Sequence, residues 1–437
     1  MPYPIIPPLR ALVERIEEYA RLKHEWGARG VEDLLGRAES LLAGIMRDLE
    51  GLPPDADAAR REPDDLASIR ALRPDGPRIM VSSIGQAAYR EKLEGALLAR
   101  LAGCTLGAVV EGWPVEEMEK WAAEIGDPFP PLHYWTRAKD PSRLRYETSA
   151  CREYTRGGMH GVPADDDIVY TLLGLLIAEE YGLDFTTEDV GRAWLKYLPM
   201  ACTAEDVALR NLKAGMGALE AAEAGNPYCQ WIGADIRADP WAYLAPGRPE
   251  EAAGMAYRDA YLSHRRNGIY GAMFFAAAGA AAFAAADPLE ALRIGLTEIP
   301  RDCDLAREIA WALSVCRDMR DYRDARRAVD ERFAGMSPVH TINNACLTVF
   351  GLSIGGADVS KVISQTVAMG LDNDCTAATA GSIAGAIAGA RGVAPHWSKG
   401  FEDRIRTYLA GAEEFGIQDV VERFARLARG VARRVPG

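Results

Sequence analysis

GLDNDCTAATAGSIAGAIAGA, residues 370–390, places two carboxylates, Asp372 and Asp374, directly before a run of glycine and alanine. A helix over this run carries Ala377, Gly381, Gly385 and Gly389 four residues apart, on one face. A face that small lets a neighbouring helix backbone approach closely. The spacing therefore predicts a buried central helix rather than a surface one. Asp372 and Asp374 fall at its N-terminus, where the partial positive charge of the helix end offsets part of their own charge.

The same design recurs upstream. Ala164-Asp165-Asp166-Asp167 precedes Ile168, Val169, Leu172, Leu173 and Leu176, an apolar helix opened by adjacent acids. A third acid, Glu111, closes LEGALLARLAGCTLGAVVEG (93–112), where Gly103 and Gly107 form another small face. Each acidic triplet alone reads equally as an N-cap with solvated acids, and Glu111 alone as an exposed helix-end acid. Two clusters opening buried helices say more. Several carboxylates gathered in a core repel strongly unless a cation lies among them. An all-oxygen donor set suits Mg²⁺, Mn²⁺ or Ca²⁺ rather than zinc.

Around these segments helix follows helix. DDDIVYTLLGLLIAEEYG, EDVGRAWLKYL, EDVALRNLKAGMGALEAAEAG and PLEALRIGLTEI carry apolar residues at helical spacing, and strand-like alternation is scarce. The expected fold is all-α, a compact multi-helix bundle with long connections at 112–164 and 226–264. Residues 11–50 hold two further amphipathic helices, and the proline-rich, charged stretch 51–77 reads as linker. The expected division is thus an N-terminal helical extension over 1–80 and a catalytic body over 81–437. GAMFFAAAGAAAFAAA (271–286) is shorter than the roughly 20 residues that span a bilayer, so it is expected as a buried helix.

A net charge of −13 on 437 residues argues against a nucleic-acid or anionic-membrane partner. Eight cysteines without a CxxC pair fit neither a zinc framework nor a disulfide scaffold, which points to a reducing cytoplasm.

Three of these segments together resemble the ADP-ribosylglycohydrolase family. Gly103–Glu111 is similar to its G-D-x-x-G-x-x-x-E motif, with Cys104 in place of the aspartate. Ala164–Asp167 is similar to its T-D-D-T, and Gly370–Cys375 to its G-G-D-T-D-T, so Ala164 and Cys375 stand where the family has threonines. The resemblance spans about residues 88–395. It implies an all-helical hydrolase that uses one or two Mg²⁺ ions (Mn²⁺ or Ca²⁺ as alternatives) on the bond at the anomeric carbon of a ribose. It implies Asp165, Asp166, Asp372 and Asp374 as metal ligands, with Asp167 and Glu111 as further candidates. Glu111, Asp166 and Asp374 form the implied catalytic set. The segment His264–Met273 resembles the family's G-N-G-x-x-M-R loop, which puts Asn267, Gly268, Tyr270 and Gly271 against substrate; a plain turn before the alanine-rich helix is the alternative.

The expected substrate is an ADP-ribosylated protein or an ADP-ribose conjugate. An N-ribosyl hydrolase of a small nucleoside or metabolite, or a non-catalytic relative akin to a lens crystallin, are the alternatives. Gly351-Leu352-Ser353-Ile354-Gly355 matches a serine nucleophile elbow by letter, but the strand such an elbow needs is missing. His340, Asn343 and Asn344 are read either as polar groups facing the site or as buried structural polars. Aromatics in LHYWTR (132–137) and Trp397 are candidates for base stacking or for simple packing.

Overall fold

A computed structural model describes residues 3–81 and 84–432. Among them α-helices dominate, and the strands are confined to two short antiparallel pairs, Leu144–Arg145 with Ser149–Ala150 and Arg404–Arg406 with Glu414–Gly416. The fold is all-α, as the periodicity predicts.

The chain divides into two compact units. One comprises the residues up to Arg60 with Ala334–Met336; the other runs from Arg61 through the body. In the first unit, helices Leu9–Glu25 and Val31–Glu50 pair while burying no residue. The expected boundary near 80 thus shifts to 60. Residues 61–80 are tied into the second unit: Ile69 is fully buried, and Arg73 and Arg78 both donate to the buried carboxylate of Glu298, at 2.6 and 2.8 Å. Proline and charge in this stretch read as linker because the partner, Glu298, lies more than two hundred residues away.

At the centre of the second unit, helix Gln86–Gly107 lies against helix Asn373–Ala388. Here the two small faces seen in the sequence meet each other. A methyl added at Gly381 would sit 2.6 Å from the carbonyl oxygen of Ala99, and one at Gly107 would sit 2.5 Å from Cα of Asp374. No side chain larger than hydrogen fits at either position. The helix Asn267–Ala282, buried along its whole length, packs against the Asn373–Ala388 helix. No helix among the described residues is long and apolar enough to cross a membrane.

Two expected connections contain helices. Residues 226–264 hold Asp239–Leu244 and Pro249–Ala260, each with proline in its first turn, where the missing N–H is harmless. Residues 112–164 hold Val115–Ile125 and the 144–150 hairpin. Conversely, the helix expected through 205–225 ends at Lys213, just before Gly215 with φ +90°. Ser353 lies inside helix Thr341–Gly355 and donates to the Cys316 carbonyl, so the 351–355 segment is not a nucleophile elbow.

Gly107→Ala is expected to destabilise the fold by ~1–3 kcal/mol or more through overpacking, and to displace Asp374. Gly36→Ala, with open space at its Cβ, is expected to be neutral or mildly stabilising. Urea denaturation of the two variants checks the contrast.

Candidate active site

The three acidic segments converge. Asp165 caps helix Asp166–Tyr181, its carboxylate accepting from the Asp167 N–H at 3.3 Å. Asp372 stands at the N-cap of helix Asn373–Ala388. Glu111 lies in the turn that follows helix Gln86–Gly107, and the Gly112 N–H donates to the Leu371 carbonyl at 2.9 Å, joining the first and third segments. The turn before Asp372 is strained: Leu371 holds φ +59°, which costs a side-chain-bearing residue roughly 1–2 kcal/mol. Asn344 supports it, accepting from the Asp372 N–H at 3.2 Å.

One side chain that the sequence did not bring to attention lies at the meeting point. Arg145, at the tip of the 144–150 hairpin, donates from Nη2 to Asp165 at 2.9 Å and to Asp374 at 3.1 Å. From Nη1 it donates to Glu111 at 2.8 Å and to the Ala108 carbonyl at 2.7 Å. A single nitrogen bridging Asp165 and Asp374 brings the second and third segments together. Its neighbour Tyr146 donates to Asp166 at 2.5 Å. Nothing local in RLRYETSACREY marks this hairpin as an insert into the site.

Arg100, fully buried on helix Gln86–Gly107, is the second unanticipated cation. It donates to Asp239 at 2.6 Å and to the Asp167 carbonyl at 2.8 Å, with the Asp167 carboxylate 3.6 Å away. Two guanidinium groups therefore face the carboxylates of Glu111, Asp165, Asp166, Asp167, Asp372 and Asp374.

The balance remains negative, and the acids respond. Burial, with Asp165 alongside, pushes Asp166 well above the usual carboxylate range. Burial raises Asp167 too, against the pull of Arg100. Burial and the Glu111 charge raise Asp374 well above its ordinary value and push Asp372 up to about 7.

Among the described residues, those able to hold a cation fall into two groups, Glu111 with Asp372 and Asp374, and Cys104 with Asp165 and Asp167; within each, one donor atom per residue lies within 4.8 Å of the others. The first group fits a hard divalent ion. Its donors are all oxygen, and Asp374 Oδ1 is buried with no hydrogen-bond partner. The second group fits poorly, because Cys104 offers a thiol that burial and the surrounding carboxylates hold protonated.

A cavity of about 120 Å³ opens on these groups; its lining includes Glu111, Asp166, Asp372 and Asp374 together with Tyr146, Tyr170, Trp231 and Val339. Asn267, Gly268, Tyr270 and Gly271 are not among its lining residues. Asn267 donates to Gln230 at 2.9 Å and accepts from the Leu305 N–H at 3.0 Å, while Tyr270 donates to the Pro63 carbonyl. Gly268 and Gly271 pack against Cys229 and Asp235. That segment forms the start of a buried helix. His340 caps helix Thr341–Gly355, and Tyr134, Trp135 and Trp397 are core residues, so the structural alternatives hold for these.

The sequence profile of the ADP-ribosylglycohydrolase family matches residues 85–434. The chain belongs to this family. Its members are hydrolases of ribosyl linkages, and the matched range contains all three acidic segments. A solved structure named ADP-ribosylglycohydrolase-related protein complex is 18% identical, aligned over 79% of this chain and 99% of its own, with a TM-score of 0.47. No curated protein shows significant sequence similarity to the chain. The match covers the second unit from residue 85 onward, and residues before 85 lie outside it.

The raised acids set a pH dependence. Asp372 titrates at 3.8 when unfolded but near 7 in the fold. Between those values the native state binds more protons, so its contribution to stability is lost as pH rises. In chelator, Asp372→Asn is therefore expected to gain melting temperature relative to the unmodified chain as pH goes from 4 to 7. A pH-independent difference in parallel thermal melts would refute the shift.

Proposed function

We propose that this ADP-ribosylglycohydrolase family member hydrolyses the bond between the anomeric carbon of a ribose and its leaving group, assisted by a divalent cation, Mg²⁺ by preference. The observation that carries the reading is Asp374 Oδ1, buried and unpartnered, beside Asp372 and Glu111 at the wall of a cavity. A divalent cation bound by those three residues supplies Lewis acidity toward sugar oxygens and water.

The chain's own residues do the rest. Glu111, whose side chain is 39% exposed, has one oxygen on Arg145. It is the acid best placed to meet solvent and substrate together, and acts as proton acceptor for the attacking water or as donor to the leaving group. Asp374, ionised by the cation it would hold, supplies negative charge to a cation-like transition state, and Tyr146 fixes Asp166 at the cavity wall. Tyr146, Tyr170 and Trp231 shield that charge from bulk water.

Family membership favours an ADP-ribose conjugate as substrate. A second reading, a small nucleoside or related metabolite, draws support from the cavity itself. Its lining includes no lysine, arginine or histidine, while Glu205 adds to its acids. Such a wall repels a diphosphate and accepts a neutral or cationic leaving group. The function is expected in the reducing cytoplasm, consistent with eight free cysteines.

Glu111→Gln is expected to lower turnover by roughly 10²–10⁴-fold while the fold persists. Asp374→Asn is expected to abolish Mg²⁺ binding in calorimetry. A hydrolysis screen of ADP-ribosylated protein, ADP-ribose conjugates and nucleosides, with and without Mg²⁺, checks the activity and separates the two substrate readings. Full turnover by Glu111→Gln would remove the acid from the reaction, and no turnover on any ribosyl substrate would favour a structural role for the chain.

A further inference from the structure

The hairpin carrying Arg145 is held in a conformation that has to be enforced. Tyr146 and Glu147, at its turn, both take positive φ, +49° and +54°. Such backbone states are unfavourable for residues that carry a side chain and persist only where the surroundings fix them. Here Tyr146 is bonded to Asp166, and Ser149 Oγ accepts from the Ala164 N–H at 3.0 Å. The Arg145 side chain, only 10% exposed, reaches Ala108, Glu111, Asp165 and Asp374. The strain therefore holds a permanent positive charge between the second and third acidic segments.

The oxygens that Arg145 occupies are those a second cation would need. Its Nη2 takes Oδ2 of both Asp165 and Asp374, while Tyr146 takes an oxygen of Asp166. The nearby side chains add few further oxygens: Ala164 is a methyl group, Cys104 and Cys375 are buried thiols, and Asp167, whose Oδ1 is buried without a hydrogen-bond partner, lies 3.6 Å from the Arg100 guanidinium. A hard divalent ion seeks six or more oxygens. A guanidinium needs only acceptors, stays charged at any accessible pH, and spreads its donors in a planar fork.

We propose that Arg145 takes the place of a second divalent ion, so that the site holds one ion per chain, on Glu111, Asp372 and Asp374. The guanidinium orients Asp165 and Asp374 as a second ion would. This rests on the reading of the Glu111–Asp372–Asp374 group as a divalent-cation site.

Mn²⁺ titration of the unmodified full-length chain, followed by native mass spectrometry and electron paramagnetic resonance, tests the count. One Mn²⁺ per chain, with the spectrum of an isolated ion, is expected. Two ions with an exchange-coupled spectrum would overturn the role of Arg145 and leave the cation site standing. No bound Mn²⁺ would overturn the cation site itself, and the one-ion proposal with it. Arg145→Met is expected to melt several degrees lower in chelator and to recover most of that loss in saturating Mn²⁺. An unchanged melting temperature in chelator would overturn the stand-in role. Should Arg145→Met not fold, Arg145→Lys, which keeps the charge without the fork, is expected to fold and to melt lower in chelator. Arg145→Met combined with Ala164→Thr and Cys375→Thr is expected to take up two Mn²⁺, and uptake of one would count against the substitution.

Discussion

Two helix backbones in direct contact organise the second unit. Helices Gln86–Gly107 and Asn373–Ala388 meet through Gly95, Gly103, Gly107, Gly381 and Gly385, where even one methyl collides with backbone. Close approach at Gly107 sets the following turn, with Glu111, beside the turn that presents Asp372 and Asp374. A wider helix pair would leave these carboxylates on separate surfaces, each solvated and ordinary.

Bringing them together creates a charge problem that the chain only half solves. Arg100 neutralises part of it from within the central helix, and Arg145 enters from the hairpin. The remaining acids retain protons well above their usual range because burial penalises each further charge. That residual deficit, together with the unpartnered Asp374 oxygen, makes the Glu111 side of the cluster receptive to a divalent cation. Arg145, the protein's own cation, stands between the two sides, on Asp165 and also on Glu111 and Asp374.

Much of this was legible from local pattern. Acids ahead of small-residue helices predicted N-terminal carboxylates on buried helices, and both Asp165 and Asp372 stand at N-caps. The small faces predicted backbone contact, though not that the two faces would be each other's partners. Gathered carboxylates call for a cation among them. Its nearest source is a side chain of the protein, which no spacing rule could have found, because Arg145 reaches across 20 residues to Asp165 and 229 to Asp374. The Asn267–Gly271 segment shows the opposite case. Resemblance to a family motif put it in a substrate loop, and tertiary packing makes it the first turn of a helix buried along its whole length.

Sequence by itself determined the helical fold, the small-residue faces and the acids at helix starts. Each arises from contacts within a few residues, so periodicity and capping chemistry record it. Tertiary structure decided which acids share a site, that a strained hairpin delivers Arg145 among them, and that residues 61–80 belong to the body. Those outcomes depend on charges and backbones meeting across hundreds of residues, and local patterns carry no trace of such meetings.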